Sequence, residues 1–162
     1  MESTTKKKIT PFLWFDNNAE EAINFYTSVF KNSKVGSFTR WPEGGPGPAG
    51  QVLTASFTLD GQEFTALNGG PQFKFNESIS FVVDCETQEE VDYYWNKLTE
   101  GGEESQCGWL KDKFGLSWQI VPKALGELIS DPDPVKSKRV LNAMLQMKKI
   151  DVAALEKVYK GD

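Results

Sequence analysis

The chain has 162 residues, of which 39% are hydrophobic and 12% aromatic, so it can bury a core of its own and is not disordered as a whole. It contains no histidine, which excludes the Ser-His-Asp triad, the Cys-His dyad and histidine-ligated zinc. A net charge of −5, no apolar window long enough for a membrane span and no visible signal peptide lead us to expect a cytoplasmic protein that binds neither nucleic acid nor membrane.

A strand–helix motif occurs twice along the chain. Apolar runs at 9–15 and 79–83 are each followed by a polar turn and an amphipathic segment. An N-cap residue with a glutamate three positions later is the capping-box spacing, which marks the start of a helix. The two pairs with this spacing are Asn18 with Glu21 and Thr87 with Glu90. Asn32 and Gly101 close the two predicted helices, because both residue types tolerate the left-handed conformation.

Three strands are predicted after each helix. In the first repeat, alternating residues at 34–40 and 51–59 lead to an Asp60-Gly61 hairpin and a return strand at 63–67. In the second, 108–111 and 116–121 flank a turn that contains Gly115. We therefore predict an α+β fold made of two tandem βαβββ modules, the first at residues 8–75 and the second at 76–123, within a single domain.

Residues 131–161 predict a C-terminal helical extension. Asp133 followed by Pro134 is typical of a helix start, and a second helix is predicted from Asp151 to Gly161. Both helices carry apolar stripes, which we interpret as a clamp over the sheet or a contact between subunits.

The alternation also assigns side chains to faces of the sheets. We expect Phe12 and Trp14 to pack under the first helix, which leaves Pro11 and Leu13 facing a cavity. In the last strand, Trp118 and Ile120 are expected on the helix side. Ser117, Gln119 and Val121 are expected on the cavity side.

Local sequence stretches resemble a known family. The segments that carry the resemblance are Thr10–Asp16, Ala66–Pro71, Asp112–Trp118 and, in the tail, Ser130–Asp151. They look like the PhnB-like branch of the vicinal oxygen chelate superfamily, which includes glyoxalase I and the bleomycin-resistance proteins. This branch often carries the label 3-demethylubiquinone-9 3-methyltransferase, and the resemblance extends over roughly residues 8–160.

The resemblance implies sheets that curl around a cavity, often in a homodimer, and a divalent metal held there by His and Glu or Gln. The corresponding positions fall near Pro11 and Ser80 on the first strands and near Thr65 and Gln119 on the last strands. Gln119 alone among them offers a typical oxygen ligand, so we expect no tightly held metal and no cofactor. Neither module has the glycine-rich strand-to-helix turn of S-adenosylmethionine-binding folds.

We therefore expect a homodimer that binds a small organic molecule in a sheet-lined cavity, with catalysis left open. The candidate ligand-binding residues are Pro11, Leu13, Thr65, Ser80, Trp109 and Gln119. One alternative is a metal-assisted lyase, isomerase or transferase that uses Gln119 and Glu63, although Glu63 is expected to face solvent. Another is a drug-sequestering resistance protein. Cys85 and Cys107 are interpreted as small packing residues without an activating neighbour.

Overall fold

The protein is described by a computed structural model, in which residues 7–161 are described. Residues 1–5, on which the expectation of no signal peptide is based, lie outside the described residues. The chain divides into two units, the first ending at Lys74 and the second beginning at Phe75. Within residues 7–161, no helix combines the length and the apolarity needed to cross a membrane.

The first unit is a βαβββ module, as predicted. Its elements are β1 (Phe12–Phe15), α1 (Ala19–Val29), β2 (Lys34–Arg40), β3 (Val52–Leu59) and β4 (Gln62–Asn68). The strand order is β1-β4-β3-β2, with β1 parallel to β4 and the other pairs antiparallel. Helix α1 covers one face of this sheet. The face opposite the helix is called the open face below, in each unit.

The second unit repeats this topology and then continues into helices. Its elements are β5 (Ser80–Cys85), α2 (Gln88–Thr99), β6 (Glu103–Glu104), β7 (Trp109–Lys111), β8 (Ser117–Pro122), α3 (Lys123–Ile129), α4 (Pro134–Met144) and α5 (Val152–Lys160). The strand order is β5-β8-β7-β6, with β5 parallel to β8. The α+β class and the two modules with C-terminal helices are confirmed, and α3 was not predicted.

The two predicted capping boxes have different outcomes. At α2, the Thr87 side chain accepts a hydrogen bond from the Glu90 N–H, while the Glu90 carboxylate accepts one from the N–H of Glu86. At α1 the prediction is wrong, because Asn18 makes no side-chain cap. There the N–H of Ala19 donates instead to Asn68 Oδ1 at 2.9 Å, so the end of β4 caps the helix through a tertiary contact.

The core of the first unit lies between α1 and its sheet. Tyr26 is fully buried and stacks on Phe57, with ring centroids 6.4 Å apart. Phe57 in turn stacks on Phe64 at 5.2 Å. Aromatic side chains of this size remove a large apolar area from water, so this stack anchors the helix to the sheet.

The C-terminal helices begin where the sequence predicts. Asp133 and Asp151 both act as N-caps, accepting hydrogen bonds from the N–H groups of Val135 and Ala154. Their core consists of Leu125, Val140, Ile150 and Leu155, all buried. The segment between α4 and α5 bonds to the main chain before β7: the N–H of Cys107 donates to the Met147 carbonyl at 2.7 Å. The tail is therefore packed onto the second unit.

Candidate functional site

The faces of β1 are the reverse of the prediction. Leu13 is only 6% exposed and lies beside the fully buried Ala66, on the helix side of the sheet. Phe12 is 58% exposed and lies beside Thr65 on the open face. Leu13 is thus a core residue and not a cavity-lining one. In the run from Ile9 to Phe15 only Thr10, which shares the face of Phe12 by alternation, is hydrophilic, so the pattern offers a single weak marker of the register.

The structure brings Pro11 and Thr65 together at the edge of the first sheet. The Thr65 N–H donates to the Pro11 carbonyl at 3.0 Å, which extends the parallel pairing of β1 with β4 to the residue just before β1. The Thr65 side chain lies on the open face, where its neighbour on β3 is Ser56. Thr65 is therefore a surface-facing polar group held by regular strand pairing on both sides.

A cavity of about 540 Å³ lies on this open face and includes Thr65 in its lining. Five side-chain hydroxyls line it, from Thr10, Ser37, Ser56, Thr58 and Thr65. Two charged side chains, Lys34 and Glu63, also line it. Both pair with Thr58, one from each neighbouring strand, so the two charged residues are separated by roughly 10 Å across the sheet.

Gly36 shapes the wall of this cavity. A Cβ atom at this position would lie 2.7 Å from the Ser56 carbonyl oxygen, so no larger residue fits without displacing β3. The strand pairing is irregular between Val35 and Phe38, which indicates a bulge. Through this irregularity the Ser37 N–H reaches Ser56 Oγ at 2.9 Å, and the two hydroxyls lie 3.1 Å apart.

The second unit places three further candidates on its own open face. The Gln119 side-chain amide donates to Ser80 Oγ at 2.9 Å, and Trp109 is the neighbour of Gln119 on β7. Trp118 and Ile120 are buried on the helix side, as predicted for β8. The alternation is informative here because one face of β8 carries two polar residues, Ser117 and Gln119, whereas the other face carries the apolar Trp118 and Ile120.

A smaller cavity of about 120 Å³ lies in the second unit and includes Trp109. Its charged lining consists of Glu77, Glu103, Glu104 and Lys111. The hydrogen bond between Lys111 and Glu77 raises the pKa of the lysine and lowers the pKa of the glutamate. The Trp95 indole N–H donates to Glu104 at 2.9 Å, so this carboxylate is already engaged.

The residues present do not fit a divalent metal held in the manner that the fold family implies. The positions concerned carry a proline, two hydroxyls and one amide, at Pro11, Thr65, Ser80 and Gln119. Among residues 7–161, no group of three or more His, Cys, Asp or Glu side chains converges on a common point. The Gln119 side chain, whose N–H₂ group donates to Ser80 Oγ, supplies a single carbonyl oxygen as a typical ligand.

Sequence reasoning missed most of the charged and hydroxyl lining of the two cavities. The polar positions Thr54, Ser56 and Thr58 alternate along β3, and this pattern marked one face of that strand as polar. A two-residue hairpin at Asp60-Gly61 itself places Glu63 opposite Thr58, because the turn fixes the register. The sequence did not show that Lys34 lies on the other side of Thr58, because a long loop and a bulge separate the two strands. Glu63 is exposed, as expected, yet it also lines the cavity.

The two cysteines differ in their environment, since Cys85 is buried and Cys107 is half-buried. Cys85 is buried, and this burial, with help from the nearby Glu90 carboxylate, raises the pKa of its thiol to about 12. At pH 8 the thiol is therefore neutral and we expect iodoacetamide to leave Cys85 unmodified in the native protein. Peptide mass spectrometry checks this, with the protein in guanidinium chloride as the fully modified control. Modification of native Cys85 at the denatured rate would contradict the assignment.

A family model and a solved structure both match most of this chain. Residues 7–121 match the family model described as 3-demethylubiquinone-9 3-methyltransferase. The PhnB protein from Bacillus cereus is 43% identical, with 72% of this chain and 99% of that chain covered and a TM-score of 0.66. The match to the family model ends at residue 121, so α3, α4 and α5 lie beyond the matched residues.

Two more distant structures share the fold. A protein from Pseudomonas aeruginosa is 20% identical, with 72% of this chain and 97% of that chain covered and a TM-score of 0.59. The fosfomycin resistance protein FosX from Listeria monocytogenes, in complex with Mn(II) and sulfate, is 12% identical, with 72% and 90% covered and a TM-score of 0.51. Comparison with curated proteins gives no match.

Proposed function

The chain belongs to the 3-demethylubiquinone-9 3-methyltransferase family, the PhnB-like proteins of the glyoxalase/bleomycin-resistance fold, and from this membership we propose that it binds a small polar organic molecule without a tightly held metal. The observation that carries the proposal is the cavity of about 540 Å³ on the open face of the first sheet. Its volume lies within the range of about 300–1,000 Å³ that is typical of small-molecule sites.

The lining of this cavity favours a hydrophilic ligand. Five hydroxyls can donate or accept hydrogen bonds, and Lys34 and Glu63 place opposite charges on either side of Thr58. A ligand with hydroxyl or carbonyl groups would pair with the hydroxyls, and a carboxylate or an amine on it would pair with Lys34 or Glu63. We propose Thr65 as the central contact, with Pro11 supporting its position through the backbone.

Metal independence is supported by the side chains that the chain offers. Without histidine, and with hydroxyls and one amide at the relevant positions, the donors are weak and few. Metal analysis of freshly purified protein tests this part. We expect well under one equivalent of any divalent ion per chain, and about one equivalent would overturn it.

The ligand proposal predicts a specific loss of binding in a Thr65→Val variant. We expect at least one compound from a panel of small hydroxy acids, keto acids and amino acids to raise the melting temperature of the wild type by about 3 °C or more at saturation. Valine keeps the shape of threonine but removes the hydroxyl, so this stabilisation should fall by at least half. Thermal unfolding with and without each compound is the measurement.

A matched variant separates binding from folding. Thr39→Val removes a hydroxyl from the exposed part of β2, where it lies 2.6 Å from the Thr54 hydroxyl and outside the cavity lining. The ligand-induced shift of this variant should equal that of the wild type. An unchanged shift in Thr65→Val, or equal losses in both variants, would count against the cavity.

The proposal also includes a homodimer acting in the cytoplasm. Light scattering coupled to size-exclusion chromatography tests the oligomeric state, for which we expect twice the mass of one chain.

Calorimetric titration of S-adenosylmethionine tests the activity that the family description names. The chain lacks the glycine-rich strand-to-helix turn of S-adenosylmethionine-binding folds, so we expect no saturable binding. Micromolar affinity would contradict this expectation.

A further inference from the structure

The smaller cavity in the second unit contains a polar group that the fold leaves without a partner. Ser117 is 1% exposed and lines this cavity. Within the part of the chain that the structure describes, its Oγ atom has no hydrogen-bond partner. Buried hydroxyls are nearly always bonded, so an orphaned one in a cavity wall indicates that a donor or acceptor from outside the chain completes it.

Strand pairing aligns charged groups with this hydroxyl. Glu103 pairs with Lys111 on the next strand, and Lys111 pairs with Ser117, so the three residues lie in one row across β6, β7 and β8. Trp109 lies two positions from Lys111 on the same strand and therefore on the same face. The row thus presents a carboxylate, an ammonium and a hydroxyl beside an indole ring.

The balance of charge in this cavity is negative. Three carboxylates and one ammonium line it, and the ammonium of Lys111 is held by Glu77. The carboxylate of Glu104 is engaged by the Trp95 indole, whereas Glu103 lies in the row that ends at Ser117. The carboxylates are too dispersed to form a metal-binding group among the described residues. Dispersed carboxylates around an indole ring are suited to an organic cation instead.

We propose that this cavity binds the ammonium group of a small organic amine. The ammonium N–H groups donate to Ser117 Oγ and to the Glu103 carboxylate, while the Trp109 ring covers the adjoining carbon atoms. A volume of about 120 Å³ limits the amine to a few carbon atoms, since a cavity of roughly 150 Å³ takes up a molecule of the size of benzene. This site is separate in its lining from the cavity around Thr65, so either proposal can fail without the other.

Titration of the full chain with n-propylammonium chloride tests this assignment. Two-dimensional ¹H–¹⁵N spectra would follow the Trp109 indole signal, which is identified by its loss in a Trp109→Phe variant. We expect saturable shifts of this signal at constant ionic strength. 1-Propanol and sodium propionate, which match the probe in size without its positive charge, should give none. No saturable shift with n-propylammonium, or an equal response to 1-propanol, would overturn the proposal.

Three variants test the roles of single residues. Glu103→Gln and Ser117→Ala should each weaken n-propylammonium binding about fivefold, by removing an acceptor. Lys111→Met should tighten it, because the variant removes the cation that competes for the same carboxylates. Glu100→Gln changes an exposed carboxylate at the end of α2 that does not line the cavity, and it should leave the affinity unchanged. Equal weakening by Glu100→Gln and Glu103→Gln, or weaker binding by Lys111→Met, would contradict a specific site.

Discussion

Replacement of Asp112 by alanine is expected to lower the free energy of unfolding by about 4 kcal/mol. Asp112 is 2% exposed, and one of its carboxylate oxygens accepts the N–H groups of Phe114 at 2.8 Å and Leu116 at 3.1 Å. Its other oxygen accepts the Trp118 indole N–H at 2.9 Å. Alanine removes all three bonds and leaves buried donors without an acceptor, which costs more than the bonds alone contribute.

Chemical denaturation followed by tryptophan fluorescence measures this loss. An Asp112→Asn variant keeps one acceptor oxygen for the turn but places an amide N–H₂ against the Trp118 N–H, so we expect about half of the alanine effect. Asp84→Ala removes an exposed carboxylate from the neighbouring β5 and should change stability by less than about 0.5 kcal/mol. A loss below about 1 kcal/mol in Asp112→Ala would show that the carboxylate network is not a stabilising feature.

The second large effect is expected in the C-terminal tail. Ile150 is fully buried among Leu125, Val140 and Leu155, so Ile150→Ala leaves a cavity and should cost about 3 kcal/mol. The main chain around it is held by the Gln88 side chain, which donates to the Ile150 carbonyl at 3.0 Å and accepts from the Val152 N–H at 2.8 Å. In the Ile150→Ala variant the lost packing lies among the C-terminal helices, so we expect the tail to loosen before the sheets unfold.

Amide hydrogen exchange combined with denaturation tests this order of events. In Ile150→Ala, exchange should accelerate in α4 and α5 more than in β3 and β4 of the first unit. Val135→Ala is the matched control, because Val135 is 62% exposed on α4 and its truncation should cost less than about 0.5 kcal/mol. Equal acceleration in both units would indicate that the tail does not unfold independently.

Much of the fold was predictable because its signals are local. Several features depend on residues only a few positions apart. They are the return strands β4 and β8, the N-caps Asp133 and Asp151, and the left-handed positions Asn32 and Gly101. In β8, polar residues alternate with Trp118 and Ile120, so the two faces could be told apart from the sequence.

The predicted ligand-binding residues depended on less local information. Thr65 and Trp109 each line a cavity, and Ser80 bonds to Gln119, although a ligand contact at any of them remains a prediction. Leu13 was placed on the wrong face because the run around it carries only one hydrophilic residue, Thr10, to mark the open side. Lys34 and Glu103 were not predicted as cavity-lining residues, because nothing near them in the sequence indicates which residues they face.

The sequence by itself determined the two βαβββ modules, the absence of histidine chemistry and the starts of α4 and α5, since each of these depends on residue types and short spacings. The tertiary structure alone decided that Asn68 caps α1, that Phe12 and not Leu13 faces outward, and that Gln88 bonds to the Ile150 carbonyl. Strand register and tertiary hydrogen bonds join residues that are up to tens of positions apart. Patterns within one turn or one strand do not contain that information.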